Sequence, residues 1–398
     1  MCFNSLASIT DSPSGLSAGA AAGVSIAVIL IIIIVVIVVI CIRKRERNDA
    51  NTPDEVRIVH EETRSNPSFA FDVDDYEDIN DKEYEYVKSS KWDVSWGDLN
   101  LSGQILGKGN FGEVQLGKVR IKGRWMKAAV KTLKDGTPDS EKALFKEEFA
   151  TMTRIGHHPN VVNILGSCEY AGSLYVILEY VPHGNLRKFL RKSRLEMPAG
   201  GEKPGRVVSN LNPDQLLKFA VGVAEAMKHI SATGIIHRDL AARNILVGKG
   251  LTSKVADFGM SREENIYVQA SSQRVPTRWL SIESLTEKMY TTKSDVWSFG
   301  ILLWEIATLG GTPYSDMETK YLAYHLTEGY RMPKPDNCEQ EMYDLMLKCW
   351  QENPDDRPSF QQILDILLHM TSQEKIYMST QCYENFKYAA ISLDKDDR

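Results

Sequence analysis

Positive charge is not in excess in this sequence of 398 residues. It has 47 lysines and arginines against 53 aspartates and glutamates, and the formal net charge is −6. A mildly acidic chain without a long basic stripe lacks the electrostatic footprint of a nucleic-acid-binding protein, so we expect no nucleic-acid partner. Cysteine is also scarce. The six cysteines are scattered and form no CxxC pair, which argues against a disulfide scaffold and a zinc cluster.

Long hydrophobic runs are absent except near the start of the chain. Residues 24–42 read VSIAVILIIIIVVIVVICI and contain no charged residue. A helix of that length spans roughly 28 Å, about the thickness of the hydrocarbon core of a bilayer. A signal-peptide core would be shorter and followed by a cleavage pattern. We therefore predict a single transmembrane helix over residues 21–42.

The flanking charges predict the orientation of this helix. Arg43, Lys44, Arg45 and Arg47 follow the run at once, and no lysine or arginine precedes it. Positive residues favour the cytosolic side, so we expect residues 1–20 to form a short extracellular stub. The predicted location is the cell membrane, with the N-terminus outside and the rest of the chain in the cytosol.

Composition divides the cytosolic part into three. Residues 43–98 are polar and acidic without a sustained apolar period, as is typical of a linker. Residues 99–372 carry strand patterns and then long helical patterns, as a folded domain does. Within that domain, residues 191–211 form an insert, and its Gly- and Pro-rich stretch 199–209 predicts a loop. Residues 373–398 form a polar tail.

Two helices have clear start signals. Asn212 followed by Pro213 is an N-cap before a helically spaced apolar run. Ser359 and Gln362 have the spacing of a capping box.

A glycine-rich segment predicts a phosphate-binding hairpin. The pattern Gly107-x-Gly109-x-x-Gly112 is followed by residues 113–119, which alternate as a strand rather than opening a helix. This context favours a strand-turn-strand hairpin over a dinucleotide-binding turn. Without side chains, backbone amides approach phosphate oxygens closely.

Charged and amide side chains follow in a fixed order. Lys131 ends the strand pattern Ala-Ala-Val-Lys, and Glu148 lies on an amphipathic stretch where it can pair with the lysine. Asp239 and Asn244 lie in a loop between two short apolar strands, and five-residue spacing lets both project into one cleft. Asp257 follows in the sequence Asp-Phe-Gly.

In this order, the motifs resemble the catalytic domain of protein kinases. More narrowly, Ala241-Ala242-Arg243 after Asp239 is similar to receptor tyrosine kinases, and the segment Val275–Trp279 resembles their substrate platform. Residues 174–186 resemble the fibroblast-growth-factor-receptor branch. The resemblance implies an α+β bilobal fold, with an N-lobe over about 99–181 and a C-lobe over about 182–372.

The resemblance also implies ATP and magnesium as cofactors, and it assigns roles by position. Asn244 and Asp257 would be the magnesium ligands, and Glu148 would position Lys131 on the phosphates. Asp239 would accept the tyrosine proton or orient the hydroxyl, with Arg243 supporting the substrate. The other nucleotide-binding residues implied are Leu106, Gly107, Gly109, Gly112, Val114, Ala129, Glu179, Val181 and Leu246.

The sequence departs from the family pattern at the end of the activation segment. Ser281-Ile282-Glu283 stands where relatives have Ala-Pro-Glu, so the ion pair of Glu283 with Arg357 stays possible without the proline. Tyr267 is the one tyrosine between Asp257 and Glu283. We expect its phosphorylated form to dock on Arg238 and Arg262. Tyr383, followed by Glu-Asn, resembles an adaptor-docking site.

The sequence thus predicts a membrane-anchored protein tyrosine kinase that phosphorylates protein tyrosines, its own included. The partners implied are protein substrates, the lipid bilayer, phosphotyrosine-binding adaptors and a second receptor chain in a homodimer or hetero-oligomer. Two alternatives stay open. One is a pseudokinase scaffold, against which the intact Lys131, Glu148, Asp239, Asn244 and Asp257 argue. The other is serine/threonine specificity.

Overall fold

The computed structural model describes residues 91–108, 112–133, 136–196, 207–263 and 276–380. The predicted transmembrane helix and extracellular stub lie outside these ranges, as do most of the predicted linker and tail. Among the described residues, no helix has both the length and the apolar character needed to cross a bilayer.

The first part of the domain is a five-stranded antiparallel sheet with one long helix. The sheet order is β1-β2-β3-β5-β4, and α1 lies between β3 and β4 in the chain. The bounds are β1 (Leu99–Lys108), β2 (Gly112–Ile121), β3 (Arg124–Leu133), α1 (Asp139–Ile155), β4 (Ile164–Tyr170) and β5 (Ser173–Glu179). In β2, Val119 is fully buried between the exposed Lys118 and Arg120. β1 pairs with β2 in antiparallel register, which confirms the hairpin that the glycine-rich segment predicts.

Residues before β1 belong to the same fold. The N–H of Ser167 in β4 donates to the carbonyl of Trp92 at 2.7 Å, and the N–H of Val94 donates to the carbonyl of Ser167 at 2.8 Å. Val94 and Trp96 pack on the small apolar cluster of the sheet. The predicted linker over residues 43–98 therefore overlaps the folded domain at its end, because its last apolar residues cover one face of the sheet.

The second part is mostly helical. Its helices are α2 (Leu186–Lys192), α3 (Pro213–Ala232), α4 (Ile282–Thr286), α5 (Thr292–Ala307), α6 (Thr319–Thr327), α7 (Gln340–Cys349) and α8 (Phe360–Thr371). Buried residues run along almost the whole of α5, so it is the central helix of the larger hydrophobic core. Capping boxes at Asn212 with Gln215 and at Ser359 with Gln362 confirm the two predicted helix starts.

Short two-stranded ladders connect these helices. They are formed by β6 (Arg194–Glu196) with β7 (Val207–Ser209), β8 (Ile235–Ile236) with β11 (Arg262–Glu263), and β9 (Ile245–Val247) with β10 (Ser253–Val255). The prediction of a loop over residues 199–209 is wrong at its end. Residues 207–209 form a strand because they pair in antiparallel register with residues 194–196.

The end of the domain lies beyond the predicted boundary at residue 372. Tyr377 and Met378 are buried, and Met378 forms a β-bridge with Cys338. The N–H of Ser209 donates to the carbonyl of Thr380 at 3.2 Å. The first part of the predicted tail is therefore folded, because two apolar side chains reach the core there.

Candidate active site

Lys131 and Glu148 form an ion pair between the sheet and α1. The Lys131 Nζ lies 2.5 Å from Oε1 and 2.7 Å from Oε2 of Glu148. Glu148 shares a helix face with Phe145, Met152 and Ile155, which are all buried, so the fold turns its carboxylate inward. Burial alone would lower the pKa of Lys131, but the charges of Glu148 and Asp257 outweigh it and raise that pKa above its usual value. The lysine is therefore a fixed cation.

Asp239 is held by two side chains of its own loop. A 3₁₀ turn over Ala242–Asn244 brings Arg243 and Asn244 back to it. Arg243 donates to Oδ1 of Asp239, and the Nδ2 of Asn244 lies 2.6 Å from Oδ2. Burial raises the pKa of Asp239 to about 6, against the opposing charge of Arg243. The carboxylate is both oriented and more basic than an exposed aspartate.

The backbone of this loop is anchored from α5. The buried carboxylate of Asp295 accepts the N–H of His237 at 2.7 Å and the N–H of Arg238 at 2.9 Å. Arg238 has φ 67°, a conformation that costs a non-glycine residue free energy and persists only where contacts enforce it. Burial raises the pKa of Asp295 to about 6. Asp295 is thus a support of the catalytic loop.

His237 is a packing residue in this arrangement. Its Nδ1 accepts the N–H of Asp239 at 3.3 Å, and its Nε2 donates to the carbonyl of Ala256 at 3.2 Å. These roles assign the neutral tautomer with the proton on Nε2. Burial lowers the pKa of His237, and its ring lies 5.2 Å from that of Phe258. The imidazole therefore has no free nitrogen for proton transfer.

Asp257 lies at the point where the other charges meet. Its negative charge raises the pKa values of both Lys131 and Asp239. A methyl group on Gly259 would lie 3.4 Å from Oδ1 of Asp257 and 3.5 Å from Oε2 of Glu148. Like Arg238, Asp257 has a φ in the left-handed region, at 64°. The structure therefore brings together the charged residues that the sequence spreads over 127 positions between Lys131 and Asp257.

Asn244 and Asp257 have the donor chemistry for a divalent cation. Both side-chain hydrogen bonds of Asn244 use its Nδ2, one to Oδ2 and one to the carbonyl of Asp239, so they leave its amide oxygen as a ligand. Among the described residues, no group of three or more His, Cys, Asp or Glu side chains would hold a metal by itself. A cation with two protein oxygens needs phosphate and water to complete its shell, which fits magnesium.

The predicted adenine-binding residues come together through strand pairing. Ala129 of β3 lies opposite Leu178 of β5, and the chain continues from there through Glu179 and Val181. Val114 of β2 pairs with Lys131. Leu246 arrives from the second part of the domain, because residues 183–185 pair with β9 through Asn185 and Leu246.

The glycines of the hairpin differ in what surrounds them. A methyl group on Gly112 would lie 2.4 Å from the carbonyl oxygen of Thr132, so the approach of β3 requires glycine there. A methyl group on Gly107 would meet nothing within 4 Å. The absence of a side chain at Gly107 is therefore unexplained by packing within the described residues. Gly109 lies outside the described residues, and Leu106 is 40% exposed at the end of β1.

Several supporting residues were missed by the sequence reasoning. Asn163 and Lys254 donate hydrogen bonds to the carboxylate of Glu179, at 2.9 and 2.8 Å, and so fix this predicted residue beside the predicted adenine site. Asp295 and Glu305 were also missed. A signal for them existed, since they are the two acidic residues in the apolar run of residues 294–309.

The predicted ion pair between Glu283 and Arg357 is present, although the proline of the family pattern is missing. The guanidinium of Arg357 donates to both oxygens of Glu283, at 2.7 and 2.8 Å. Both side chains are almost completely buried.

The predicted regulatory tyrosines Tyr267 and Tyr383 lie outside the described residues. The two arginines expected to receive phosphorylated Tyr267 are described. The guanidinium of Arg238 lies 4.0 Å from the ring centroid of Tyr290, and Nε of Arg262 lies 3.4 Å from a carboxylate oxygen of Glu147 on α1.

Comparison with known proteins identifies the family. The family model of protein tyrosine and serine/threonine kinases matches residues 101–367. The chain belongs to this family. The predicted resemblance to receptor tyrosine kinases is confirmed, and the mixed helix and strand content fits a bilobal kinase fold. Membership in the kinase family implies the use of ATP and a divalent metal in general terms.

Relatives of this kinase domain are named as receptors. It is 46% identical over 305 residues to the angiopoietin-1 receptor of Danio rerio, covering 76% of this chain and 27% of that protein. It is 41% identical over 315 residues to the myoblast growth factor receptor egl-15 of Caenorhabditis elegans, covering 73% and 30%. It is 41% identical over 308 residues to fibroblast growth factor receptor 1 of Pleurodeles waltl, covering 74% and 37%. The chain thus spans roughly a third of the length of these relatives.

Proposed function

We propose that the protein transfers the γ-phosphate of ATP to tyrosine hydroxyls of proteins, its own tyrosines included. The observation that carries the proposal is the convergence of one fixed cation, Lys131, with the carboxylates of Asp239 and Asp257. Lys131 is paired with Glu148, Asp239 is held by its loop, and the charge of Asp257 acts on both. A phosphoryl transfer site needs charge compensation and positioning of this kind more than a strong nucleophile.

The phosphate end of the site is assigned to three residues. Lys131 would neutralise the α- and β-phosphates, and its pairing with Glu148 restricts where the ammonium lies. Asn244 and Asp257 would hold magnesium through an amide oxygen and a carboxylate. When bound, magnesium supplies the positive charge that offsets the phosphate oxygens. No atom of the described residues lies within 4 Å of a methyl group added at Gly107, and this space leaves room for phosphate oxygens near the hairpin backbone.

The acceptor end of the site is assigned to Asp239 and Arg243. One oxygen of Asp239 is bonded to Arg243 and the other to Asn244, which fixes the plane of the carboxylate. Asp239 would orient the phenol for in-line attack and accept its proton. The guanidinium of Arg243 lies 4.2 Å from the ring centroid of Trp279, which belongs to the predicted substrate platform. This aromatic and cationic surface suits a phenol ring better than the short side chains of serine and threonine.

We further propose that the protein works at the cell membrane, in the orientation predicted from residues 21–42. The receptor names of the relatives support this location, as they support a second receptor chain as partner, in a homodimer or a hetero-oligomer. The lipid bilayer and phosphotyrosine-binding adaptors at Tyr383 are proposed on the sequence patterns alone.

The proposal is tested with three peptides that differ in one side chain. The purified full chain in detergent is incubated with magnesium and ATP, and with matched peptides carrying tyrosine, serine or phenylalanine at one position. We expect magnesium-dependent transfer to the tyrosine peptide alone. Transfer to the serine peptide would establish the serine/threonine alternative. If the protein neither turned over ATP with any of the three peptides nor phosphorylated itself, the result would favour the pseudokinase-scaffold alternative.

A further inference from the structure

Glu305 is a buried carboxylate that bridges two parts of the site. It lies near the end of α5 and is completely buried. Its Oε2 accepts the backbone N–H of Ala242 at 2.9 Å and the indole N–H of Trp279 at 2.9 Å. Within the part of the chain that the structure describes, its Oε1 has no hydrogen-bond partner. Glu305 therefore ties the catalytic loop to the segment that contains Trp279.

A chain of contacts continues from Trp279 through Arg243 to the carboxylate of Asp239. The guanidinium of Arg243 stacks on the indole of Trp279, with 4.2 Å from its central carbon to the ring centroid. The same guanidinium donates to Asp239. The placement of Trp279 thus determines where Arg243 lies, and Arg243 in turn fixes one oxygen of Asp239.

The free-energy cost of burying the Glu305 carboxylate indicates that this residue has a role beyond stability. A buried carboxylate with one unsatisfied oxygen costs free energy, and the fold keeps Glu305 in spite of that cost. Asp295, the other acidic residue of this helix core, anchors the backbone of the same loop at His237 and Arg238. Glu305 anchors that loop at Ala242, so α5 holds it on both sides of Asp239.

We propose that Glu305 is a positioning residue for phosphoryl transfer, which holds Trp279 and the Ala242 amide so that Arg243 is fixed against Asp239. The proposal rests on the proposed kinase activity. It adds a residue that touches neither ATP nor the acceptor tyrosine. Its effect is expected in the turnover number, because the residues assigned to the nucleotide are elsewhere.

The test compares three variants of the full chain with the parent. They are Glu305→Ala, Glu305→Gln and Trp279→Phe, and the reaction is transfer to a tyrosine peptide. Turnover is expressed per nucleotide-binding site, counted by titration with a fluorescent ATP analogue, so that unfolded protein does not enter the comparison. A misplacement of about 1 Å in a catalytic group costs about 100-fold in rate, and we expect a fall in kcat of that order for Glu305→Ala with KM for ATP unchanged.

The conservative variants separate positioning from bulk packing. The amide oxygen of Glu305→Gln accepts the same two N–H groups, so its kcat should stay closer to the parent than to the alanine variant. Trp279→Phe keeps a ring for Arg243 but loses the hydrogen bond, and combined with Glu305→Ala it should cost less than the product of the two separate effects. Trp350→Phe is the matched control, because this tryptophan is also buried and its indole N–H has no partner among the described residues.

The outcomes distinguish this inference from the proposed function. An active parent together with a Glu305→Ala variant of parental kcat per site would overturn the role of Glu305 alone. So would an equal loss of kcat in Trp350→Phe, or a Glu305→Gln variant as slow as Glu305→Ala. A parent without any phosphoryl transfer would overturn the proposed function, and the role of Glu305 with it.

Discussion

Lys131 donates to both carboxylate oxygens of Glu148, at 2.5 and 2.7 Å, across the gap between β3 and α1. The two residues belong to different elements, so the ammonium is in place only while the helix lies against the sheet. In kinases this pair and the metal-binding aspartate must both be positioned for transfer. In the structure the two side chains are in contact, and the charge of Asp257 also raises the pKa of Lys131.

Gly107 and Gly112, on either side of the hairpin turn, should respond differently to alanine. Gly112→Ala places a methyl group 2.4 Å from the carbonyl oxygen of Thr132, so β2 and β3 must move apart, at about 1–3 kcal/mol of unfolding free energy. Gly107→Ala meets nothing within 4 Å and should leave stability within about 0.5 kcal/mol of the parent. It should instead weaken nucleotide binding, because its methyl group enters the space proposed for phosphate.

For Gly112→Ala and Gly107→Ala, stability is measured by urea denaturation and nucleotide affinity by titration with a fluorescent ATP analogue. The expected pattern is a stability loss confined to Gly112→Ala and an affinity loss in Gly107→Ala. Equal stability losses in both variants, or an unchanged affinity in Gly107→Ala, would contradict the assignment.

The buried ion pair of Glu283 and Arg357 should be important for stability. Removing one partner leaves the other charged and buried, which costs about 3–5 kcal/mol. We expect a destabilisation of this size for Glu283→Gln in urea denaturation. The control is Arg120→Met, which removes the partly exposed pair with Asp98, and such pairs contribute about 1 kcal/mol or less. Similar losses in the two variants would show that Glu283 is not held in a buried pair.

Much of the site was predictable because its residues lie in short motifs. Lys131, Asp239 and Asp257 each have a local context, such as a strand pattern or a loop between two apolar strands, and the structure brings these three residues together as expected. The helix starts at Asn212 and Ser359 were predictable for the same reason, since a cap acts within three residues.

The residues that support the site were not predictable, because their partners are distant in sequence. Asp295 contacts a backbone N–H 58 positions away, and Glu305 contacts one 63 positions away. An acidic residue in an apolar helix predicts a buried hydrogen-bond partner, but the sequence does not indicate which residue supplies it. Residues 207–209 were predicted as a loop and Tyr377 as part of the tail for a related reason. Residues 207–209 are folded by pairing with a strand, and Tyr377 by packing on the core.

Stability should depend on pH through His158. Its ring stacks on His229 at 4.8 Å, and its Nδ1 accepts the N–H of Asn160. Burial, with the nearby His229, His157 and Lys254, lowers its pKa from 6.5 to about 4. The unfolded chain therefore binds a proton below pH 6.5 that the folded chain takes up only near pH 4. The stability that His158 contributes is present above pH 6.5 and is lost as the pH falls towards 4.

The variant His158→Gln should weaken this dependence. The measurement is the free energy of unfolding in urea at pH 7 and at pH 5, and the difference between the two should be smaller in the variant than in the parent. His369→Gln, at an exposed position of α8, is the matched control. If His158→Gln showed the parental difference, the stacked histidine pair would have no part in acid sensitivity.

Phosphorylation of Tyr267 should raise activity. A phosphate adds up to about two negative charges, which Arg238 and Arg262 can bind. Arg262 lies 3.4 Å from Glu147 of α1, so a phosphate there acts beside the helix that carries Glu148. We expect Tyr267→Phe to lower the initial rate several-fold after preincubation with magnesium and ATP. Tyr321→Phe, at an exposed tyrosine of α6, should keep the parental rate. Identical rates for Tyr267→Phe and the parent would remove this tyrosine from regulation.

The central claim is that Lys131 and Asp239 act in one site for phosphoryl transfer to tyrosine. The most direct measurement is mass spectrometry of the purified full chain, after dephosphorylation and incubation with magnesium and ATP. The parent should acquire phosphate on tyrosines, and neither Lys131→Met nor Asp239→Asn should acquire any, while Lys118→Met, an exposed lysine of the same sheet, should match the parent. Phosphotyrosine formed at the parental level by either site variant would contradict the account.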